Sequence, residues 1–398
     1  MAHPELFLKK NEDKRLRQGH LWVFSNEVDT KRSPLTQFAA GDLVKVVASD
    51  KKIMGTAYIN PNALICARLL SRKPSAKLGR HLFTDRISKA LALRERFYDK
   101  PFYRLVFGEA DGLSGLVIDR FGEVLSVQIT TAGMERQKEP LIEVLVELLQ
   151  PQAILLKNDN SQRELEGLSL ESEVVYGELP AELIIEENNA QFKLDIMGGQ
   201  KTGWFYDHRE SRAALAKLVK GKTVLDLFSY SGGWGIPAAM NAAEQVTCVD
   251  ASASAIALVG ENAALNGVGD KVTAVQADVF EFLKQSRLER KNFDIIILDP
   301  PALIKRKKDF KAGYEAYRRL NHLALQCLAK DGILVSASCS FHMTRANLHY
   351  ILKTSARHID RHVVFFGQGG QGADHPVHPA IAETEYLKTY FCAVTESL

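Results

Sequence analysis

The stretch Thr223-Val224-Leu225-Asp226-Leu227-Phe228-Ser229-Tyr230-Ser231-Gly232-Gly233-Trp234-Gly235 decides the fold. Its apolar part, Val224 to Phe228, has the length and composition of a short buried strand. Ser229 to Gly235 is a glycine-containing turn, and Ile236 to Ala243 begins a helix. Doubly wound α/β folds hold nucleotide-like ligands on such a strand–turn–helix unit. The glycines admit ligand atoms to the backbone, and the helix N-terminus presents free N–H groups. Three further strands follow. Gln245 to Asp250 ends in an acid placed to accept both hydroxyls of a ribose. Val272 to Gln276 is followed by Asp278, and Phe293 to Leu298 runs into Asp299-Pro300-Pro301. Acids therefore stand at or just past the carboxyl ends of four successive strands, the edge where open parallel sheets bind ligands. One such acid is commonly a helix N-cap. Four in register exceed what capping requires.

This pattern resembles the class I S-adenosylmethionine-dependent methyltransferases. The resemblance implies S-adenosylmethionine as cofactor. It puts Asp226, Phe228, Ser229, Ser231, Gly232 and Gly233 toward the methionine end, Asp250 at the ribose and Asp278 at the adenine amino group. Asp299 and Pro300 complete the cofactor edge. A dinucleotide-binding fold is the rival, because Gly233-x-Gly235-x-x-Ala238 fits its fingerprint and Asp250 would serve its ribose. That fold has no use for Asp226 or for Asp-Pro-Pro.

The remainder of the chain sets the frame. A length of 398 residues suggests two or three domains, and 46% hydrophobic with 25% charged residues is the composition of a soluble globular protein. No apolar run reaches the ~18 residues of a membrane span, and Met1 to Glu5 holds no apolar signal core. The five cysteines, Cys66, Cys248, Cys327, Cys339 and Cys392, are odd in number and lack metal-ligand spacing. Free thiols and no metal in a reducing cytoplasm are the expectation. Net charge is only +3, so any nucleic-acid surface must be local. Arg72 to Arg104 holds ten Lys/Arg against three Asp/Glu, and Lys305 to Arg319 holds seven against two. Two such blocks in a balanced chain favour a polyanionic partner, although a basic face is often merely solvated.

Taken in order, residues 1–72 read as a small β domain with strands at Leu6–Leu8, Leu21–Phe24, Leu43–Val47, Ile53–Ile59 and Leu64–Leu70. It resembles a PUA domain, a small RNA-binding β barrel. Lys14, Arg15, Arg17 and Trp22 mix bases with an aromatic and are its candidate RNA contacts; a solvated loop with Trp22 in the core is the equal alternative. Residues 73–197 read as a connecting α+β domain. It has a basic helix Phe83–Phe97, strands Arg104–Phe107, Gly115–Asp119 and Val124–Ile129, and a helix Glu135–Leu149 with an apolar stripe. Strand Ala153–Leu156 follows, then a hairpin of Leu183–Glu187 and Gln191–Ile196. Residues 198–398 form the methyltransferase domain. Its first segment, Gly198 to Phe205, reads as a ligand-facing loop with Lys201 and Thr202 as contacts, or equally as a plain linker. Further strands are expected at Ile333–Ala337, His362–Phe366 and Tyr386–Val394, making a Rossmann-like sheet of seven.

Ser338-Cys339-Ser340 follows directly on the fifth strand, which puts Cys339 at the ligand edge near the Asp299 loop. C5 of cytosine is a poor nucleophile. A thiolate adding at C6 makes C5 an enamine carbon able to attack a sulfonium methyl; a base then removes the C5 proton and the thiolate leaves. The reaction needs an activated Cys, a carboxyl at the N3/N4 edge and a base. Cys339 and Asp299 supply the first two.

Here the resemblance narrows to the RlmI-type large-subunit ribosomal RNA methyltransferases, which make 5-methylcytosine. It is carried by Gly19-His20-x-Trp22-Val23-Phe24-Ser25, Lys201-Thr202-Gly203, Asp207-x-Arg209, Asp226-x-Phe228-x-x-x-Gly232-Gly233, Asp299-Pro300-Pro301 and Ser338-Cys339-Ser340. It implies 23S ribosomal RNA or the assembling large subunit as partner, with Lys305, Arg306 and Lys307 as further RNA contacts. A homodimer is compatible with the sequence, which does not fix the oligomeric state. Many RNA cytosine-5 methyltransferases carry a second, releasing cysteine after Asp-Pro-Pro; Ala302 stands there instead. Asp374, His375, Glu383 and Glu385 are the candidate bases. Two other functions are open. One is methylation of an exocyclic purine amine, disfavoured because Ala302 occupies the place of the stacking aromatic. The other is a non-catalytic RNA-binding assembly factor, disfavoured by four intact edge acids.

Overall fold

The computed structural model describes residues 3–199 and 202–397. The chain divides into two compact units. One contains the chain up to Leu183, Asp195–Trp204 and Ala373–Thr384. The other contains Ile184–Leu194, Phe205–Gly372 and the chain from Glu385 on.

The N-terminal unit has two five-stranded sheets. The first runs in the order Glu5–Phe7, Asp42–Val47, Ile53–Ile59, Ile65–Ser71, Trp22–Phe24. Its first pair is parallel and the rest antiparallel. Both edge strands have three residues, and among the described residues no ladder joins them, so the expected barrel is a half-barrel. The second sheet runs Glu171–Gly177, Ala153–Asn158, Val124–Ile129, Leu116–Phe121, Phe102–Phe107. Helices Arg80–Arg94 and Lys138–Leu149 cover it, sharing one core through Phe83, Ile87, Leu141, Val144 and Leu145. Glu171–Gly177 was not foreseen: most of its residues are exposed, as suits an edge strand, so no apolar alternation betrays it.

The C-terminal unit holds a seven-stranded sheet: β1 Thr223–Leu227, β2 Gln245–Asp250, β3 Val272–Gln276, β4 Phe293–Leu298, β5 Leu328–Ser338, β6 Arg361–Gly369 and β7 Lys388–Glu396. The order is β3-β2-β1-β4-β5-β7-β6. All pairs are parallel except β5–β7 and β6–β7. Helices α1 Gly235–Met240, α2 Ala253–Leu265, α3 Val279–Leu288, α4 Phe310–Gln326 and α5 Arg345–Arg357 connect the strands. Leu225, Leu227, Ile296, Leu298 and Leu334 are wholly buried, which is why the central strands read as continuous apolar runs.

Two segments group differently from their places in the sequence. The hairpin Ile184–Leu194, expected to close the middle domain, belongs with the sheet unit. Asn262 on α2 accepts the Lys193 N–H at 2.7 Å, Asn266 accepts the Gln191 N–H at 2.8 Å, and buried Glu187 accepts from Arg212 at 2.7 Å. Ala373–Thr384, expected in the methyltransferase domain, belongs with the N-terminal unit. There the Asp374 carboxylate accepts the Arg104 N–H at 2.9 Å, and Arg94 donates to the Asp374 carbonyl at 2.9 Å.

Candidate active site

β1 stops at Leu227 because the next residues leave extended geometry. Phe228, Tyr230 and Gly232 take φ of 63°, 48° and 88°. Left-handed residues alternating with right-handed ones curl successive N–H groups into a concave nest. Two of the three are not glycine, and such strain clusters at ligand sites. The Gly235 N–H, at the start of α1, donates to Asp226 Oδ2 at 2.9 Å. A Cβ at 235 would lie 2.4 Å from Cys248 Sγ and 3.2 Å from Asp226 Oδ2, so this approach requires glycine.

Asp226 is wholly buried, and its Oδ1 has no hydrogen-bond partner. Burial pushes its carboxyl up to about 7; the Gly235 N–H and Arg212 oppose the rise, and Asp299 and Asp250 add to it. The hydroxyls of Ser229 and Ser231 are also buried without partners. Buried polar atoms are normally paired, so three orphaned oxygens around one turn mark a site shaped for a polar ligand. An uncompensated buried carboxylate favours a cationic group, and the methionine end of S-adenosylmethionine carries an ammonium. The residues present fit that cofactor.

Asp250, at the end of β2, is pinned through both oxygens. Oδ2 accepts the Tyr230 N–H at 3.0 Å and Oδ1 the Ser252 N–H at 2.9 Å. Each oxygen retains a lone pair for a hydroxyl. Asp278 is exposed and caps α3, accepting the Glu281 N–H at 3.0 Å. Thr202 falls in the N-terminal unit, buried, with its hydroxyl unpartnered. Lys201 lies outside the described residues.

Asp299 follows β4 and is held from both sides. His208 Nε2 lies 3.0 Å from its Oδ1, and Trp234 Nε1 donates to its Oδ2 at 2.9 Å. Burial works against its charge, but His208, Trp234 and Arg212 together outweigh burial and hold the carboxyl below its usual range. Burial likewise opposes charge on His208, yet Asp299, with a smaller contribution from Asp207, raises the imidazole above its ordinary value. The sequence reading passed over both neighbours. His208 lies inside the Asp207-x-Arg209 motif and Trp234 between glycines, positions that signal a ligand loop without naming a partner.

Cys339 follows β5 and is half-buried, whereas the other four cysteines are buried. Burial drives Cys66 up to about 12 and Cys327 to about 11, which leaves them inert. Cys339 Sγ lies 3.8 Å from the Pro300 carbonyl. Ser340 ties the two loops together: its hydroxyl accepts the Ile304 N–H at 3.1 Å and lies 3.1 Å from the Tyr317 hydroxyl. The structure thus brings Asp226, Asp250, Asp299, Pro300 and Cys339 to one edge of the sheet. Of the candidate bases, Asp374 and His375 hydrogen-bond each other at 2.8 Å and, with Glu383, fall in the N-terminal unit. Glu385 alone lies in the sheet unit.

Most candidate RNA contacts have internal partners. Arg15 pairs with Glu27 at 2.5 Å, Arg17 with Asp13 and with Asp50 at 3.0 Å, and Trp22 donates to Glu109 at 2.9 Å. Lys14 is exposed. Lys305 and Lys307 are exposed, and Arg306 pairs with Asp309 at 3.1 Å.

A parallel sheet ordered 3-2-1-4-5 with an antiparallel 7-6 edge, and acids at its carboxyl ends, defines a class I methyltransferase fold. A family described as PUA-like domain matches residues 6–72, and one described as Conserved hypothetical protein 95 matches residues 211–366. The fold is shared with a candidate SAM-dependent methyltransferase from Streptococcus mutans, at TM-score 0.83 and 22% identity over 98% of this chain and all of that one. A candidate methyltransferase solved with SAH matches at TM-score 0.85 and 22% identity, with the same coverage. In sequence, the chain is 36% identical to "Ribosomal RNA large subunit methyltransferase I" of Cronobacter sakazakii, over 98% of this chain and 99% of that protein. It is 37% identical to the protein of that name from Shewanella denitrificans, over 96% and 97%. The chain belongs to the ribosomal RNA large subunit methyltransferase I family.

Proposed function

We propose that this chain is an S-adenosylmethionine-dependent methyltransferase acting on C5 of a cytosine in large-subunit ribosomal RNA. In this reading the buried turn holds the cofactor, with Asp226 at the ammonium and Asp250 at the ribose hydroxyls. When bound, S-adenosylmethionine supplies an electrophilic methyl. The target base leaves its stack to reach the sheet edge. Asp299, kept ionised by His208, accepts from the exocyclic amino group, the donor that distinguishes cytosine from uracil. The Cys339 thiolate adds at C6, and C5 becomes the nucleophilic carbon. Once C5 carries the methyl, a base removes its proton and Cys339 leaves.

The observation that carries this reading is the half-buried Cys339 thiol beside the Asp299-Pro300 loop, in a sheet unit whose other thiols are buried. RNA containing 5-fluorocytosine has no C5 proton to lose, so it should trap the wild-type protein as a gel-stable adduct. Cys339→Ala should form none and should lose methyl transfer while still binding cofactor. Retained transfer by Cys339→Ala would instead favour methylation of an exocyclic amine.

A further inference from the structure

Lys388 opens β7 directly opposite Ser338, the residue before Cys339. It is 7% exposed, and its Nζ donates to the Ser340 carbonyl at 2.7 Å. Among the described residues no carboxylate forms an ion pair with it. A buried ammonium with only a neutral acceptor is a costly arrangement, kept where a negative charge is meant to stand beside it. The ionisable groups facing it are Cys339, Arg345 at the start of α5, and exposed Glu385. Burial lowers Lys388 to about 8, and Cys339 is the leading influence in the other direction. Tyr317, facing the thiol from α4, is pushed up to about 12 by burial and stays neutral, with its hydroxyl engaged by Ser338 and Ser340.

We propose that Lys388 is the positioning residue that activates Cys339: its ammonium is the counter-ion of the Cys339 thiolate, and the Ser340 carbonyl holds it against the Cys339 turn. Charge coupling is mutual, so an ammonium that gains from the thiolate holds the thiol deprotonated in return. The thiol proton passes to solvent and no other bond changes. The catalytic consequence rests on Cys339 being the attacking thiol; the coupling itself does not.

The test is the pH profile of Cys339 alkylation by iodoacetamide, localised by peptide mass, in the full-length protein. In the wild type the inflection should lie below the ordinary thiol value of about 8.5. Lys388→Met should raise it by at least about one unit and slow alkylation near neutrality about tenfold, while Lys388→Arg should keep it low. Methyl transfer by Lys388→Met should recover partly at higher pH. An unchanged profile in folded Lys388→Met overturns the proposal. Should that variant not fold, the thiolate absorbance difference between wild type and Cys339→Ser decides, and an inflection at or above the ordinary thiol value overturns it. A shifted alkylation profile in a protein that forms no 5-fluorocytosine adduct would support the coupling and sink the nucleophile reading.

Discussion

A carboxyl held near neutrality at a buried position makes ligand binding a proton-linked event. Asp226, pushed up to about 7 chiefly by burial, carries a proton through most of the acidic range. The sign follows: in the ligand-free protein this raised carboxyl subtracts stability as pH climbs from about 4 toward 7. An ammonium placed beside Asp226 favours the carboxylate, so binding below about pH 7 must expel the proton. S-adenosylmethionine affinity is therefore expected to rise by up to about tenfold per unit from pH 6 to 7 and then level off. Calorimetry in buffers of different ionisation enthalpy should detect the released proton at pH 6 and not at pH 8. Asp250→Ala removes a charge-assisted grip worth about 1.5–3 kcal/mol and should weaken cofactor binding at least tenfold with the fold intact. Unchanged affinity in that variant would remove Asp250 from the ribose.

Elements place these residues, and the same elements constrain substitution. Asp278 is an N-cap first, so Asp278→Ala should cost about 1 kcal/mol of stability. Asp278→Asn keeps the cap and separates the roles. If Asp278 also holds the adenine amino group, Asp278→Asn should weaken cofactor binding while Tm stays put; equal affinity leaves capping as its whole contribution. At the start of α1, Gly235→Ala drives a methyl into the buried Cys248 and Val246 side chains of β2. Overpacking of that kind costs about 1–3 kcal/mol, visible as a lower Tm, and it pulls the Gly235 N–H from Asp226, which should also lower cofactor affinity.

At the scale of the whole molecule, charge counted along the chain and charge available to a partner diverge. Within the block Arg72 to Arg104, Arg72, Lys73, Lys77, Lys89, Arg96 and Lys100 are exposed, and Arg80 pairs with Glu143 and, at 2.7 Å, with Glu147. Arg94 pairs with Asp111 at 2.6 Å and Arg104 with Asp119 at 2.7 Å. In the second block Lys305, Lys307 and Lys308 are exposed, and among the described residues none of the three forms an ion pair. Neutralising those three should weaken RNA binding and flatten the dependence of log K on log salt, by about 0.7 per lost phosphate contact on a single strand. Neutralising buried Arg94 should leave the salt slope alone and cost stability, since it strands the Asp111 carboxylate, whose side chain is only 5% exposed.

The sequence by itself determined the strand–turn–helix unit at Thr223 to Gly235, the succession of acid-ended strands and the place of Cys339 after the fifth. These are local matters: apolar runs long enough to be strands, glycines where backbones must approach, acids and a thiol one or two residues past a strand end. Strand ends in the sheet unit held to within three residues for the same reason, except that β5 begins at Leu328 rather than Ile333. Only the tertiary structure decided who meets whom. Asp299 lies between His208, 91 residues upstream, and Trp234, and Lys388 comes opposite Ser338 because β7 runs antiparallel to β5. It also paired Arg94 and Arg104 of the first basic block with Asp111 and Asp119, and gave the hairpin Ile184–Leu194 to the sheet unit. Pairings of this kind join residues tens to hundreds of positions apart, and no propensity or period in one stretch encodes the partner that packing brings to it.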